Sequence, residues 1–393
     1  MLSRLRMLTA GESHGPALLG ILENLPAGLQ LDLDMLQVDM ARRQKGYGRG
    51  RRMKIETDQV QVLSGVRHGV TLGSPIGLLI ENRDFQNWKT RMSPEAVETG
   101  KEGRRIRVPR PGHADLAGIQ KLGARDVRDV LERASARETA MRTAIGAVCR
   151  QFLAAFGVEV VSHILRIGHV SAPEEMAEPG EVLRTLDAAG LRERSDASST
   201  RCVDEATTLE MEKAIDEAKA DGDTLGGIIE VLATGVPAGL GSWNHWDRKL
   251  SARFAESILS INALKGVEIG LGFRVAARPG SEVHDAVRME AGQLSRPTNR
   301  AGGLEGGTTN GEALVLRAAM KPIPTLRKAL ESVNLETESS APAHKERSDV
   351  CAVPAAGVVA EAMVCIVLAD ALLERFGGDT LEQVRSHMRA SSP

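Results

Sequence analysis

The sequence predicts one compound α+β domain over residues 1–393, with long central helices, short strands and extended functional loops. Strand-like runs and helical stretches follow each other without a break in composition that would divide the chain. Hydrophobic residues make up 42% of the chain and charged residues 26%, which is typical of a globular protein with a substantial core. Two long apolar stretches have the character of core helices.

Charge and aromatic content argue against two classes of partner. The 50 lysines and arginines nearly balance the 52 acidic residues, so the net charge is −2. A chain this close to neutrality has no overall field that attracts nucleic acid or an anionic membrane, so any polyanion site must be local. Aromatic residues make up only 3% of the chain, too few for a base-stacking surface. We therefore expect neither nucleic acid nor a membrane as partner.

The cysteines predict neither a metal site nor a disulfide framework. No two share a C-x-x-C spacing, and none combines with histidines at the spacing of a zinc site. The opening residues lack the apolar run of a secretory signal, so a cytoplasmic protein is expected. In that setting four thiols are predicted to be reduced and mostly buried: Cys149, Cys202, Cys351 and Cys365.

The first hundred residues predict strands around one helix. A strand is predicted over residues 4–9, while the apolar residues 17–25 fit a helix and a strand equally well. Residues 32–43 have the spacing of a helix. Runs rich in β-branched side chains predict further strands over residues 60–63 and 76–80.

Two later stretches predict the central helices. Apolar side chains recur every 3.6 residues over 126–156, and Gly157 can end that helix. Residues 355–373 are almost entirely apolar, but Glu361 and Asp370 would be costly in lipid. We therefore expect a buried core helix there rather than a membrane span.

The remaining segments predict shorter elements joined by polar loops. Strands are predicted over residues 158–161 and 164–167, helices over 207–220 and 254–264, and loops over 83–115, 291–311 and 334–350. A weak internal repeat also emerges, in which a Thr-x-Gly turn precedes a strand; its three copies are residues 68–82, 221–237 and 306–322.

Residues 42–54 concentrate seven cations in 13 residues, separated by three alternating glycines. The glycines allow a tight backbone, so several guanidinium groups could converge on one anion, and arginine binds phosphate and carboxylate bidentately. A solvated basic loop or a nucleic-acid patch is the alternative interpretation.

Three further clusters could carry chemistry. His113 lies in a turn constrained by proline and glycine, where a histidine could act as a general acid. Arg133 and Arg137 are four residues apart on the predicted helix and would share a face, either towards a phosphate or, with Asp129, as an exposed ion pair. Asp349 lies beside a cation and could be an inert ion-pair partner or a base.

Three familiar templates fit poorly. Residues 11–15 match the G-x-S-x-G pattern of serine hydrolases, with Ser13 as nucleophile, but they lie too near the start for the earlier strands of that fold. No G-x-G-x-x-G follows a predicted strand, and no G-x-x-x-x-G-K occurs, so neither a dinucleotide-binding enzyme nor a P-loop nucleotidase is supported.

Distinct motifs are spread over essentially the whole chain. They are GESHG at 11–15, RQKGYGRGRR at 43–52, SGVRHG at 64–69, RPGHAD at 110–115, RASARETA at 133–140, residues 221–227, SINALKG at 260–266, and residues 306–311, 321–325 and 347–357. One such motif is weak evidence, but this many in this order is specific. Taken together, the motifs resemble the chorismate synthase family over essentially the whole chain.

The resemblance implies a reaction and its requirements. 5-Enolpyruvylshikimate 3-phosphate would lose its 3-phosphate and a C6 hydrogen in a 1,4-anti elimination that yields chorismate. Reduced FMN would be required without net redox change, and the subunit would be a β-α-β sandwich in a cytoplasmic homotetramer. Whether the chain reduces FMN itself with NAD(P)H is open; because no dinucleotide fingerprint is found, a separate flavin reductase is expected.

The resemblance also implies residue roles. His14 would protonate the departing phosphate, His113 would tune the flavin near N1, and Asp349, with Ser135 or Ser13, would assist proton removal at C6. The substrate would be held by Arg43, Arg49, Arg52, Arg110 and Arg137. The flavin would be lined by Arg133, Ala134, Ser135, Asn262, Ala263, Gly306, Lys321, Pro322, Ile323, Pro324, Thr325 and Arg347. The family usually has serine where Ala134 stands, so a side-chain contact would be lost there.

Overall fold

The computed structural model describes residues 2–50, 57–101, 103–346 and 348–391. Its strands, in chain order, are β1 (Arg6–Ala10), β2 (Ala17–Glu23), β3 (Val60–Val62), β4 (Val66–Arg67), β5 (Val70–Thr71), β6 (Ile76–Glu81), β7 (Glu159–Ile167), β8 (Val170–Ser171), β9 (Gly227–Thr234), β10 (Leu264–Ile269), β11 (Arg288–Glu290), β12 (Gln293–Ser295), β13 (Leu304–Glu305), β14 (Thr308–Thr309), β15 (Leu314–Met320), β16 (Glu331–Asn334) and β17 (Ser339–Pro342). Its α-helices are α1 (Leu33–Gln44), α2 (Asp115–Leu122), α3 (Arg128–Leu131), α4 (Thr139–Ala154), α5 (Ala188–Ala197), α6 (Glu205–Asp221), α7 (Leu250–Leu259), α8 (Val353–Phe376) and α9 (Leu381–Ala390).

Two antiparallel sheets enclose a layer of helices. One sheet has the strand order β1-β2-β6-β3, and the other has the order β10-β15-β9-β7-β8. Helix α4 packs against β2 and β6 of the first sheet, while α8 packs against β7 and β9 of the second. The two helices also pack against each other, which makes an α+β sandwich with its core between the sheets and confirms the predicted fold class.

Helix α8 lies at the centre of this core. Its length and apolar composition would allow it to cross a membrane. However, its most apolar 18-residue stretch is entirely buried inside the protein. Its buried Glu361 accepts hydrogen bonds from Arg42 at 2.8 Å and from Arg150 at 2.7 Å. The prediction of a buried core helix is therefore confirmed, and its internal acid is neutralised by arginines rather than exposed.

The predicted continuous helix over residues 126–156 is wrong. Helix α3 ends at Leu131, a 3₁₀ turn covers Ala136–Glu138, and α4 begins at Thr139. Between them Ser135 has an extended backbone and its hydroxyl accepts a hydrogen bond from the Arg137 amide, so the side chain caps a new start. The apolar period continues across this interruption, which is why the pattern alone could not show it.

Other predicted elements differ from the structure in type or in their bounds. The apolar residues 17–25 contain the strand β2, which ends at Glu23, and the two strands predicted over 158–167 are one, β7, with an irregular register between Ile164 and Arg166. The helix predicted over 254–264 is α7, which ends at Leu259 before β10 begins. The helices predicted over 32–43 and 207–220 are confirmed as α1 and α6. The four cysteines are free and buried, as predicted.

Candidate active site

The first part of the site lies where the turn after β1 meets the residues that follow α3. The Nδ1 atom of His14 lies 2.9 Å from Oε2 of Glu132, and the His14 amide donates to the same oxygen. The Ser13 amide donates to the Glu132 carbonyl, and the Ser135 hydroxyl donates to the Ser13 hydroxyl at 3.2 Å. Burial alone would raise the pKa of Glu132, but hydrogen bonds from His14 and Arg128 hold it below its usual value.

A buried arginine pair adjoins this turn. Arg43, at the end of α1, contacts Asp58 at 3.1 Å, and Arg137 pairs with the other oxygen of the same carboxylate. Arg137 also donates to the side-chain oxygen of Asn82 at 2.9 Å. Burial lowers the pKa of Arg43 to about 10, with Asp58 opposing the shift and Arg137 adding to it. One carboxylate thus holds two cations at a site that water barely reaches.

A third part joins the glycine-rich loop to the segment before α8. Arg49 contacts Asp349 at 2.6 Å, and the Gly50 amide donates to the other oxygen of Asp349. Gly48 has φ +85°, and a Cβ there would lie 2.9 Å from Ile215, so only glycine fits. Asp349 is therefore an ion-pair partner of Arg49, and both lie close enough to Arg43 to affect its pKa.

The fourth part surrounds His113. Its Nδ1 lies 2.5 Å from Asp115, which also accepts from Arg110 at 2.8 Å. Burial alone would raise the pKa of Asp115, but the hydrogen bonds from His113 and Arg110 hold it well below its usual range. Arg110 donates to the Thr325 hydroxyl at 3.0 Å, and the Lys321 ammonium donates to the Gly112 carbonyl.

Hydrogen bonds between these parts connect them around one region. The Asn262 side chain donates to the Ala134 carbonyl at 2.9 Å, and the Lys321 amide donates to the Ala263 carbonyl at 3.0 Å. On the other side, the Thr224 hydroxyl donates to the Ile323 carbonyl. The amide of Leu225 donates to the carbonyl of Val350, which follows Asp349 in the chain. Ala263 has φ +68°, a backbone conformation that costs free energy for a residue with a Cβ and is often found at functional sites.

Comparisons with known proteins decide what this arrangement belongs to. The family model described as chorismate synthase matches residues 5–373. The chain belongs to the chorismate synthase family. It is 54% identical to chorismate synthase 1 of Bacillus cereus over 98% of this chain and 97% of that protein, and 53% identical to the chorismate synthase of Leifsonia xyli subsp. xyli over 98% and 95%. A crystal structure of a chorismate synthase superposes with a TM-score of 0.79 at 41% identity, covering 99% of this chain and 98% of that one.

Membership settles the class of activity. Proteins of the chorismate synthase family are lyases of the shikimate pathway, so this chain is an enzyme that forms chorismate from a small-molecule substrate. The Ser13 turn is therefore not interpreted as the nucleophile of a serine hydrolase, and the arginine-rich loop is not interpreted as a nucleic-acid-binding patch.

The structure brings most of the predicted site residues together, with clear exceptions. Arg133 is not on a face shared with Arg137, because the helix is interrupted; its guanidinium donates to Thr9 at 2.8 Å rather than pairing with Asp129. A Cβ at Gly306 would lie 3.6 Å from the Cβ of Trp243. Arg52 and Arg347 lie outside the described residues.

Several residues of the site were missed by the sequence analysis. Asp58, Asn82 and Glu132 hold the predicted basic groups, and Trp88 stacks on His14. Asp58 and Asn82 belong to none of the motifs. Each is identified only by its contact with the buried guanidinium of Arg137 in the folded chain. Glu132 gave one signal, because it directly precedes the recognised motif at 133–140.

Two cavities are lined by none of the predicted site residues. One of about 290 Å³ is lined by Arg42, Asp196 and Arg201 among others, and one of about 420 Å³ is lined by Glu178, Arg296 and Glu312 among others. We place the site by its converging polar groups rather than by cavity volume, because precisely placed polar groups orient a ligand. Among the described residues no group of three histidines, cysteines or acids could hold a metal ion.

Proposed function

We propose that the enzyme converts 5-enolpyruvylshikimate 3-phosphate to chorismate and phosphate by 1,4-anti elimination, with reduced FMN as an essential cofactor. The observation that carries the proposal is the convergence of four arginines, two histidines and a lysine on one region. Such a cationic region in a chain of net charge −2 suits a ligand with a phosphate and two carboxylates.

Substrate anions are assigned to the arginines. Arg43, Arg49, Arg110 and Arg137 are held by acids whose burial and hydrogen bonds fix the direction of each guanidinium. Arg52 is assigned to the same role by its place in the motif. Guanidinium groups held in this way can bind carboxylate and phosphate with little further loss of side-chain conformational entropy.

The residues present fit a flavin phosphate and ring. The Lys321 backbone amide donates to the carbonyl of Ala263, whose backbone has a positive φ, and the Asn262 side chain donates to the Ala134 carbonyl. A backbone contact at Ala134 needs no hydroxyl, so the missing serine is compatible with binding. The flavin-lining set is completed by Arg133, Ser135, Gly306, Pro322, Ile323, Pro324, Thr325 and Arg347. When bound, reduced FMN would supply electron density as the carbon–oxygen bond breaks.

Proton movements are assigned to three groups. His14 protonates the departing phosphate, which neutralises charge as it develops on the leaving group. His113, held by Asp115, controls protonation near N1 of the flavin. Asp349 assists proton removal at C6, with Ser135 or Ser13 as relay; its contact with Arg49 fixes its position.

Assembly and location complete the proposal. We take residues 1–393 as a single domain, because the site draws on residues from the first turn to the segment before α8. We assign the enzyme to the cytoplasm as a homotetramer, and the apolar outer face of the first sheet, where Leu8 is 65% exposed and Ile21 47%, supports a subunit contact. Reduction of FMN is assigned to a separate flavin reductase, with direct reduction by NADPH as the alternative.

The test is a turnover assay with purified protein, substrate and photoreduced FMN under argon. Equal amounts of phosphate and chorismate, detected by phosphate assay and absorbance, are expected; oxidised FMN is the matched control and should give neither. Adding NADPH in place of light distinguishes a self-reducing enzyme from one that needs a reductase. If reduced FMN gives no phosphate release, the proposed reaction is wrong.

A further inference from the structure

The imidazole of His14 is held on two sides by residues with no assigned part in the reaction. Both of its described hydrogen bonds use Nδ1 and end on the carboxylate of Glu132, at 2.9 and 3.0 Å. The ring of Trp88 stacks on its face, with centroids 4.0 Å apart and an angle of 25°. Hydrogen bond and stack together leave the imidazole little rotational freedom.

Glu132 is itself fixed in place. It is 4% exposed, and Arg128 donates to its Oε1 at 2.7 Å. Its second oxygen and its carbonyl accept the amides of His14 and Ser13, so one residue holds both the side chain and the backbone of the turn. A buried carboxylate with this many donors remains ionised, which the lowered pKa of Glu132 reflects.

Trp88 is fixed by the same arginine. The Arg128 guanidinium lies 4.8 Å from the centroid of the Trp88 ring, and that of Arg91 lies 5.6 Å away. Its indole N–H donates to Asp84 at 3.3 Å. Arg128 therefore binds both supports of the histidine, the carboxylate by charge and the indole by a cation–π contact.

From this geometry we infer that Glu132 and Trp88 are positioning residues, which hold His14 with a proton on Nδ1 and direct Nε2 to the leaving phosphate. A carboxylate facing Nδ1 accepts its N–H in both protonation states of the ring. Nε2 is then the nitrogen left to gain and give the catalytic proton. The inference rests on the proposed role of His14 as the acid.

The variants isolate charge, reach and stacking. Glu132→Gln keeps the size of the side chain but removes its charge, Glu132→Asp keeps the charge, and Trp88→Leu removes the stack. Glu138→Gln is the matched control, because Glu138 is a similarly buried acid that bonds to Arg142 and Thr9 instead of a histidine.

In turnover assays, Glu132→Gln should lower kcat by about 10- to 100-fold, a part of the roughly 10² to 10⁴ that general acid catalysis contributes. KM should change less than about threefold, since the substrate-binding arginines are untouched. Trp88→Leu should lower kcat in the same manner but less, Glu132→Asp should recover most of the loss, and Glu138→Gln should keep kcat within about threefold.

A second measurement needs no turnover. In protein with ¹⁵N-labelled histidine, long-range ¹H–¹⁵N spectra distinguish Nδ1–H from Nε2–H, and a His14→Gln sample identifies the signal of His14. Wild-type protein should show His14 protonated on Nδ1, whereas Glu132→Gln should show a shift towards the other tautomer. Glu138→Gln should leave the signal unchanged.

These readouts separate the inference from the proposed reaction. If wild-type enzyme forms no chorismate, the reaction proposal fails, and the tautomer of His14 still decides whether Glu132 positions it. A His14 signal that is the same in wild-type and Glu132→Gln protein would overturn the inference. So would equal kcat losses in Glu132→Gln and Glu138→Gln, because that would indicate a general effect of removing a buried acid.

Discussion

At the residue scale, several basic groups of the site are held by buried acids. Glu132 contacts His14, Asp115 contacts His113, and Asp58 lies between two arginines. All three acids are at least 95% buried, so each needs an opposite charge or several donors to remain ionised. The basic residues of the motifs are thus only half of the site, and the acids set their direction.

The first prediction concerns the two histidines. His14→Ala and His113→Ala should each lower turnover by about 10² to 10⁴, the usual contribution of a positioned acid or base. Circular dichroism and thermal unfolding should stay close to wild type, because both side chains lie at the edge of the core. Rates like those of the wild-type enzyme in both variants would refute their assigned roles.

The second prediction concerns Asp115 and pH. Because the folded state holds its pKa below the ordinary value of 3.8, the carboxylate adds stability that is fully present above that pH and is lost as pH falls towards the folded value. Asp115→Asn should reduce the free energy of unfolding at pH 7 by about 3 kcal/mol, since Arg110 loses its buried partner.

Denaturant titrations from pH 7 to pH 3 measure this effect. The difference between wild type and Asp115→Asn should shrink below about pH 4, while the exposed acid variant Asp379→Asn should show little difference at any pH. A difference that stays constant down to pH 3 would show that the charge of Asp115 is not its source.

At the element scale, the crossing of α4 and α8 positions the two segments that precede these helices and carry Arg137 and Asp349. Gly146 of α4 lies against Ala362 of α8, and a Cβ at Gly146 would come within 2.5 Å of the Ala362 Cα. The start of α4 follows Arg137, and the segment before α8 carries Asp349. The spacing of the two helices therefore also sets the spacing of these residues.

The third prediction follows from this contact. Gly146→Ala should destabilise the protein by about 1–3 kcal/mol, because backbone at the crossing must move apart to admit a methyl group. Since helix propensity alone favours alanine over glycine, a loss of stability would isolate the packing term. Thermal unfolding measures it, and a raised melting temperature would contradict the close packing of α4 on α8.

The interruption before α4 shows where the prediction of helices from the sequence failed. The helices predicted over residues 32–43, 207–220 and 355–373 were correctly located as α1, α6 and α8, because each is one uninterrupted helix. The prediction failed at Ser135, where a hydroxyl cap competes with the helical hydrogen bond while the apolar period continues. Local polar competition of this kind leaves no mark on hydrophobic periodicity.

At the scale of the whole molecule, the outer face of the first sheet carries exposed apolar side chains on neighbouring strands. Leu8 and Ile21 lie opposite each other on β1 and β2, and Leu19 next to them is 45% exposed. Apolar side chains paired across strands and left in water are typical of subunit contacts. This face suits the proposed tetramer.

The fourth prediction tests that face. Leu8→Glu combined with Ile21→Glu should reduce the assembly from about four times the 42.1 kDa chain to a smaller species in light scattering after size exclusion, because four or more charges would be buried without partners. Leu209→Glu, at a leucine that is 62% exposed on α6, is the control and should leave the mass unchanged. An unchanged mass in the double variant would place the subunit contact elsewhere.

The sequence by itself determined the fold class, the central helix α8 and the basic residues of the motifs, because hydrophobic spacing and motif order are properties of the chain alone. Only the tertiary structure decided which acid holds which basic group: Asp58 reaches Arg137 across 79 positions, and Glu132 reaches His14 across 118. Those partners are chosen by burial, since a charge withdrawn from water must find an opposite charge wherever the fold places one.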